Sequence, residues 1–350
     1  MAHIFKKYKE NQKGILVLSH QEVQFVLNNP NSHHYVHQLK QKYFIGVHYG
    51  GFSQGVIVPS FCDFYMGLSS VIGAQNDSIL HIPLASGNFT AQYFKPNPEV
   101  YKYWDIINVS RNGKVKNLEI FFREIKKIYN LGYKYKVLLV CASREEENER
   151  SHFVNIADEY YNIFTKEERE LFTLMRLGKD LEFKGLSKKQ LSFFYQSSKV
   201  SALFSEMEGF PGVVPEALLT GLPVVLWKHQ RGSATDFLDN SNSVLFDSFD
   251  NSHQALIQAV EGYNNFSHNQ EKLINNLRED YSLEKIKKYF SLMYEKEGQQ
   301  FDGELINTDD LVSRLPSHFV ELPWANERRF NGHITELDNF IIFTNESLKN

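Results

Sequence analysis

Residues 200–227 read VSALFSEMEGFPGVVPEALLTGLPVVLW, and they give the clearest indication of the fold of the chain. The apolar run Val200–Phe204 predicts a buried strand, and Val224–Trp227 predicts another. Between them lie a loop of small residues and a segment, Val213–Thr220, that is typical of a helix. This order of strand, loop, helix and strand indicates an α/β fold with a parallel sheet.

The same alternation extends over residues 104–263. Most of the predicted strands are continuous apolar runs, which are typical of strands buried on both faces of a parallel sheet. We therefore predict a doubly wound α/β domain, in which ligands bind at the carboxyl ends of the strands. The further predicted strands are Asp105–Val109, Lys136–Ala142, Leu181–Phe183 and Ser243–Phe246, and the further predicted helices are Lys116–Tyr129, Ser187–Ser197 and Ser252–Tyr263.

The first hundred residues predict a second, smaller α/β unit. The prolines of FKPNP at residues 94–98 favour an extended linker after it, because proline and the residue before it avoid helical geometry. This linker and the start of a predicted helix at Ser282 divide the chain into segments 1–98, 99–281 and 282–350. The predicted strands of the first segment are Gly14–Leu18, Phe44–His48 and Ile79–Ile82, and its predicted helices are Gln21–Asn28 and Tyr35–Gln41.

The last segment begins with a predicted amphipathic helix, Ser282–Tyr294. The rest of the segment shows no clear period, yet it contains several large apolar residues. Because these residues would otherwise form exposed apolar groups, we expect the segment to pack back on the first domain. The residues are Phe319, Leu322, Trp324 and Phe330.

The composition excludes several classes of protein. A chain of 350 residues with 42% hydrophobic residues can form two domains with real cores. Its net charge of −4 is not typical of a nucleic-acid-binding protein. The two cysteines, Cys62 and Cys141, form no framework and indicate a reducing compartment. No apolar leader or long apolar run occurs, so we expect a cytoplasmic protein without a membrane span.

The loop after Phe204 has the chemistry of an anion site. Gly209 and Gly212 allow a ligand to approach the backbone closely, and the following helix start offers N–H donors and a positive dipole end. Glu208 and Glu216 add carboxylates that accept hydrogen bonds from sugar hydroxyls. The alternative interpretation is a turn that the glycines only shape, with two solvated glutamates.

A second element places cations at another predicted strand end. Arg111, Lys114 and Lys116 follow the strand Asp105–Val109 and precede the next helix. Two cations at this position would neutralise a leaving diphosphate without a metal. The alternative is a solvated basic loop.

Together these segments resemble the retaining GT-B glycosyltransferases, especially glycosyltransferase family 4. Many members carry variants of S-x-x-E-G-F-P-x-x-x-x-E-A-x-x-x-G-x-P-V-V, with an arginine and, five residues on, a lysine in an earlier loop. The resemblance implies two Rossmann-like domains with parallel sheets, and 99–281 as the donor domain. The matching residues here are Ser205, Glu208, Gly209, Phe210, Pro211, Glu216, Ala217, Gly221, Pro223, Val224 and Val225.

The resemblance also implies roles for single residues. Glu208 would contact the transferred sugar, Glu216 the ribose hydroxyls, and Arg111 and Lys116 the leaving diphosphate, with Lys114 as a further candidate. His48, near the end of a predicted strand, would lie close to the donor sugar. An ordinary turn histidine is the alternative. The remaining implied donor-binding residues are Gly209, Phe210, Pro211, Gly212 and Val213, with Phe183 and Gly185 beside the base.

One departure from the family concerns the first domain. Family members have a longer one that opens with a strand and a glycine-rich turn, whereas residues 1–98 show no clear turn of this kind. We therefore predict a reduced acceptor-side domain.

The resemblance implies transfer of a hexose-type sugar from a UDP- or GDP-linked donor to a glycan, lipid-linked or protein acceptor. Retention is implied by the family, and no cofactor or metal is expected because no Asp-x-Asp motif is visible. One alternative is a non-catalytic nucleotide-sugar-binding or accessory subunit. A sugar-nucleotide epimerase on the same architecture is another.

Overall fold

A computed structural model of the chain describes residues 3–19, 23, 26–28, 33–49, 58–68, 79–142, 156–177 and 186–315. These residues form two compact units. The first unit contains the described residues up to Phe89 and those from Glu279 onward, and the second contains the described part of Thr90–Arg278. No helix in the described ranges is both long enough and apolar enough to cross a membrane.

The first unit is built on a five-stranded sheet in the order β1-β2-β3-β4-β5. Strand β1 is antiparallel to β2, and the remaining neighbours are parallel. Every residue of β2 and β3 is buried, as expected for strands covered on both faces. The strands are β1 (His3–Lys6), β2 (Gly14–Ser19), β3 (Tyr43–His48), β4 (Phe64–Met66) and β5 (Leu80–Ile82), and helix α1 (His33–Lys42) precedes β3.

The second unit is built on a six-stranded sheet in which all neighbours are parallel. Its order is β11-β10-β9-β6-β7-β8, the doubly wound order of a Rossmann domain. The strand order reverses between β6 and β9, and ligands of such sheets bind outside the carboxyl ends of the strands at this point. The strands are β6 (Trp104–Arg111), β7 (Val137–Ala142), β8 (Phe172–Leu177), β9 (Ser198–Leu203), β10 (Val224–Trp227) and β11 (Ser243–Phe246).

Helices cover this sheet and carry clear start signals. Thr165 and Ser187 each form a capping box with the residue three positions on, which satisfies backbone N–H groups at two helix starts. The helices are α2 (Leu118–Asn130), α3 (Ile156–Ile163), α4 (Lys166–Leu171), α5 (Lys188–Gln196), α6 (Val213–Thr220), α7 (Ser252–Glu261) and α8 (Gln270–Leu277).

The chain then returns to the first unit. Helix α9 (Glu279–Lys296) packs Ile286 and Phe290 into the core formed by β1 to β5, and helix α10 (Leu311–Arg314) adds Leu311. The ammonium of Lys6 lies 2.5 Å from the Asp302 carboxylate, which ties this returning segment to β1. The four apolar residues expected to pack back, at positions 319 to 330, lie outside the described residues.

The units divide between Phe89 and Thr90, before the expected linker at residues 94–98. Phe94 is fully buried and packs edge-on against Tyr195, with ring centroids 5.8 Å apart. The amide of Gln196 also donates to the Lys95 carbonyl at 3.2 Å. The FKPNP segment is therefore part of the second unit, because it packs on α5.

The observed strands also differ from the predicted ones in several places. Strands β10 and β11 have the predicted bounds, whereas β6 extends further at both ends. Strand β8 was not predicted, because its edge position leaves Arg176 exposed and interrupts the apolar run. Strands β1 and β4 are too short to give a clear pattern. The predicted strand Leu181–Phe183 and part of the predicted helix Gln21–Asn28 lie outside the described residues.

Candidate functional site

The basic loop lies between β6 and α2, at the carboxyl end of the sheet. After Arg111 the chain makes one short 3-10 turn, Lys114–Lys116, and Asn117 then takes a left-handed conformation with φ of 51°. Asparagine tolerates this conformation better than most residues. The Asn117 side chain donates to the Phe204 carbonyl at 3.1 Å, so the basic loop is fastened to the end of β9. Arg111 and Lys114 are exposed.

The loop after β9 meets the basic loop directly. The backbone N–H of Glu206 donates to the Val115 carbonyl at 3.2 Å. The Lys116 ammonium forms an ion pair with the Glu208 carboxylate, and their side chains are only 16% and 12% exposed. Two residues 92 positions apart in sequence, each predicted to belong to the site, are thus in contact.

A third loop, after β10, supports the backbone of Glu208. The N–H of Glu208 donates to the Arg231 carbonyl at 2.8 Å, and the Ser233 hydroxyl donates to the Gly209 carbonyl at 2.8 Å. Between them, Gly232 has a φ of 117°, and a Cβ atom there would lie 1.6 Å from the Glu208 carbonyl oxygen. Only glycine fits this position.

The residues of this third loop were missed in the sequence. The signal that could have found them is an Arg-Gly-Ser turn shortly after a buried parallel strand, at the edge where ligands bind.

Helix α6 begins at the site without a side-chain cap. Gly212 is its N-cap residue, and the N–H of Val214 donates to the Pro211 carbonyl at 3.1 Å. Gly212 has a φ of −55°, which any residue can adopt, so glycine is not needed here for backbone conformation. The Phe210 ring is buried and stacks on Phe237 with centroids 5.6 Å apart, which fixes the loop before the helix. An uncapped helix start of this kind suits an anion.

Glu216 lies in the first turn of α6 and is buried, with 3% exposed. The Lys188 ammonium, at the start of α5, lies 2.8 Å from a Glu216 carboxylate oxygen. The fully buried Tyr195 lies near Glu216, and its hydroxyl donates to the Val213 carbonyl at 3.4 Å. Burial first, and the Glu216 charge second, raise the pKa of Tyr195 well above its usual range. Neither Lys188 nor Tyr195 was predicted as a site residue.

Three other predicted residues stay predictions. His48 ends β3 and is buried in the first unit. Phe183 and Gly185 lie outside the described residues. Within the ranges that the structure describes, no three or more His, Cys, Asp or Glu side chains form a group that could hold a metal ion.

The second unit identifies the family to which the chain belongs. Residues 90–280 match the family model described as Glycosyl transferases group 1. The chain belongs to this family. The match covers the second unit almost residue for residue and includes all three loops described above. None of the curated proteins matches the sequence.

Solved structures of glycosyltransferases share the fold of the chain. Sucrose-phosphate synthase from Thermosynechococcus elongatus has a TM-score of 0.53 at 14% identity, over 73% of this chain and 70% of that one. The GtfA/B complex has a TM-score of 0.52 at 14% identity, over 74% of this chain and 54% of that one. The pneumococcal O-GlcNAc transferase GtfA, in complex with UDP and GlcNAc, has a TM-score of 0.50 at 14% identity, with the same coverage.

These likenesses confirm the predicted GT-B-like α/β fold with parallel sheets. The chain spans about half the length of the two GtfA structures.

Proposed function

We propose that the chain is a glycosyltransferase that moves a hexose-type sugar from a nucleoside diphosphate to an acceptor hydroxyl. The observation that carries this proposal is the Lys116–Glu208 contact beside the point where the Rossmann sheet reverses its order. A cation for a diphosphate and a carboxylate for a sugar lie together where such a sheet binds its ligand.

In the proposed reaction, the bond between the anomeric carbon and the diphosphate oxygen breaks. The acceptor oxygen bonds to the anomeric carbon, and its proton passes to the leaving diphosphate. Lys116 and Arg111 neutralise the charge that develops on this leaving group, with Lys114 as an exposed third cation. Lys116 would leave Glu208 for the diphosphate, and Glu208 would then accept hydrogen bonds from the sugar hydroxyls.

The other contacts to the donor follow from the family resemblance. Glu216 would hold the ribose, and the uncapped start of α6 would receive the diphosphate through the backbone of Gly209–Val213. We assign the base to the segment of Phe183 and Gly185, and we keep His48 as a candidate near the sugar.

The donor is a UDP- or GDP-linked sugar, and UDP is the first to test because a structural neighbour was crystallised with UDP and GlcNAc. Acceptors are glycans, lipid-linked sugars or proteins. Retention follows from the family resemblance alone, and metal-independent transfer is supported by the two cations of the basic loop.

The proposal is tested by thermal shift and calorimetry with UDP, GDP, UDP-glucose and UDP-GlcNAc, followed by an assay of nucleoside diphosphate release. A ligand that binds the folded state raises Tm. We expect one nucleotide to bind, its sugar conjugate to be hydrolysed slowly, and Glu208→Gln to abolish release. Glu119→Gln, an exposed carboxylate on α2, serves as the matched control.

The outcomes separate the candidate functions. No shift with any nucleotide would refute a donor site. Binding without release on a panel of glycan, lipid-linked and protein acceptors would instead favour a nucleotide-sugar-binding accessory subunit.

A further inference from the structure

Lys188 lies outside every motif that assigned the site, yet it reaches one of its residues. It is the first residue of α5, whose start is fixed by the capping box of Ser187 and Gln190. Its ammonium lies 2.8 Å from a carboxylate oxygen of Glu216, the residue proposed to hold the ribose. The pair therefore joins the starts of two helices beside the donor loop.

The surroundings of Glu216 make this contact more than a surface ion pair. The Glu216 side chain is only 4% exposed, whereas that of Lys188 is 32% exposed. A buried carboxylate without a compensating cation is strongly unfavourable. Lys188 thus provides the positive charge that allows a carboxylate to remain at this depth.

Among the described residues, the contacts of Glu216 also leave some of its acceptor sites open. An ionised carboxylate has about four lone-pair sites. One oxygen accepts from Lys188, and the buried Tyr195 lies near the carboxylate. Tyr195 in turn is anchored to the Val213 carbonyl at 3.4 Å. The Lys188 ammonium orients the group, and the remaining lone pairs can accept from hydroxyls.

We propose that Lys188 is a positioning residue for ribose recognition, which holds the Glu216 carboxylate charged and oriented toward the hydroxyls of the donor nucleotide. This inference rests on the proposed function. It goes further by assigning to Lys188 a selectivity for ribonucleotides over 2′-deoxyribonucleotides, without contact to the reacting sugar.

The experiment measures, by calorimetry on the full chain, the Kd of UDP, GDP and their 2′-deoxy counterparts. A hydrogen bond from the 2′-hydroxyl to a charged carboxylate predicts a preference of about tenfold or more for the ribonucleotide that binds. Glu216→Gln and Lys188→Met should each reduce this preference to about twofold or less, because a neutral or misplaced acceptor gains little from the hydroxyl.

A control variant and a conservative variant separate the role of Lys188 from general effects on the helix. Lys189→Met removes the exposed neighbouring charge on the same helix and should keep the wild-type preference. Lys188→Arg keeps the charge but changes its geometry, so the preference should fall while the affinity for the deoxyribonucleotide stays the same. This variant decides the matter if Lys188→Met fails to fold. The double variant of Lys188→Met with Glu216→Gln should lose no more preference than Glu216→Gln alone.

Two results would overturn the inference, and they are distinguishable. If the wild type binds a ribonucleotide selectively and both Lys188 variants keep that preference, Lys188 has only a structural role and the proposed function stands. If the wild type binds neither UDP nor GDP, the proposed function fails and the inference fails with it.

Discussion

Two lysine–glutamate pairs of the second unit have the same chemistry in different settings. Lys116 and Glu208 lie on loops, and each is partly exposed. Lys188 and Glu216 lie on helix starts, and the Glu216 side chain is 4% exposed. A pair on loops can exchange its partner for a ligand, whereas separating the second pair would leave a buried charge uncompensated. The loop pair is therefore suited to the reacting groups, and the helix pair to holding a fixed part of the donor.

After Glu208→Gln, the largest expected effect comes from removing the two cations Arg111 and Lys116. Arg111→Met with Lys116→Met should reduce kcat for diphosphate release by about 10³-fold, because charge on the leaving group is no longer stabilised. The measurement is steady-state release of UDP or GDP from the donor that binds.

The matched control for this prediction is Arg123→Met, which removes an exposed arginine on α2. It should leave kcat at the wild-type value. If the double variant kept kcat within about tenfold of the wild type, the loop would be a solvated basic loop and the electrostatic role would be refuted.

The two lysine–glutamate pairs also differ in how far the sequence alone predicts them. The contact between Lys116 and Glu208 could be predicted, because each residue belongs to a family motif and each follows one of two neighbouring strands. Lys188 could not, because a lysine at a helix start is ordinary and its contact with Glu216 depends on how α5 and α6 pack. The role of Gly232 could not be predicted either. Only glycine fits at this position because of the Glu208 backbone, which lies 24 residues earlier in sequence.

The two units also differ in how well local sequence patterns predict their strands. In the second unit, long apolar runs and a clear alternation predicted most of the sheet. In the first, β1 and β4 span only four and three residues and were missed. One face of its core is completed by α9, which follows the whole second unit in sequence. Local patterns do not report such distant packing.

A second prediction concerns a substitution that disturbs the loop pair without removing Lys116 or Glu208. Gly232→Ala places a Cβ atom against the Glu208 carbonyl and strains a backbone with φ of 117°. We expect the free energy of unfolding to fall by about 2–3 kcal/mol and donor binding to weaken, because the Glu208 backbone must move. Urea unfolding and calorimetry measure the two effects.

Gly132→Ala is the matched control, because Gly132 also has a positive φ, of 89°, but no atom lies within 4 Å of its added Cβ. It should cost only about 1 kcal/mol of unfolding free energy and leave donor binding unchanged. Equal effects of both substitutions on binding would contradict the role of the third loop.

A third prediction loosens the donor loop between the two pairs. Phe237→Ala removes the ring that stacks on Phe210 and should raise the KM for the donor about three- to tenfold, with kcat little changed. Steady-state kinetics separate the two constants. Phe193→Ala, which removes a ring that is 56% exposed, is the control and should change neither.

The smallest expected effect is that of metal removal. It tests whether diphosphate release at the site of Lys116 and Glu208 requires a divalent cation. In the proposed mechanism, Arg111 and Lys116 supply positive charge where other transferases use a divalent cation, so EDTA should leave kcat of the wild type unchanged. In Lys116→Met, added Mg²⁺ or Mn²⁺ should likewise fail to restore activity, because the described residues hold no group of three or more His, Cys, Asp or Glu side chains that could bind a metal. Activity that falls on chelation and returns with a divalent cation would show that the leaving diphosphate is neutralised by a metal. In that case the loop lysine would serve mainly to hold Glu208, as Lys188 holds Glu216.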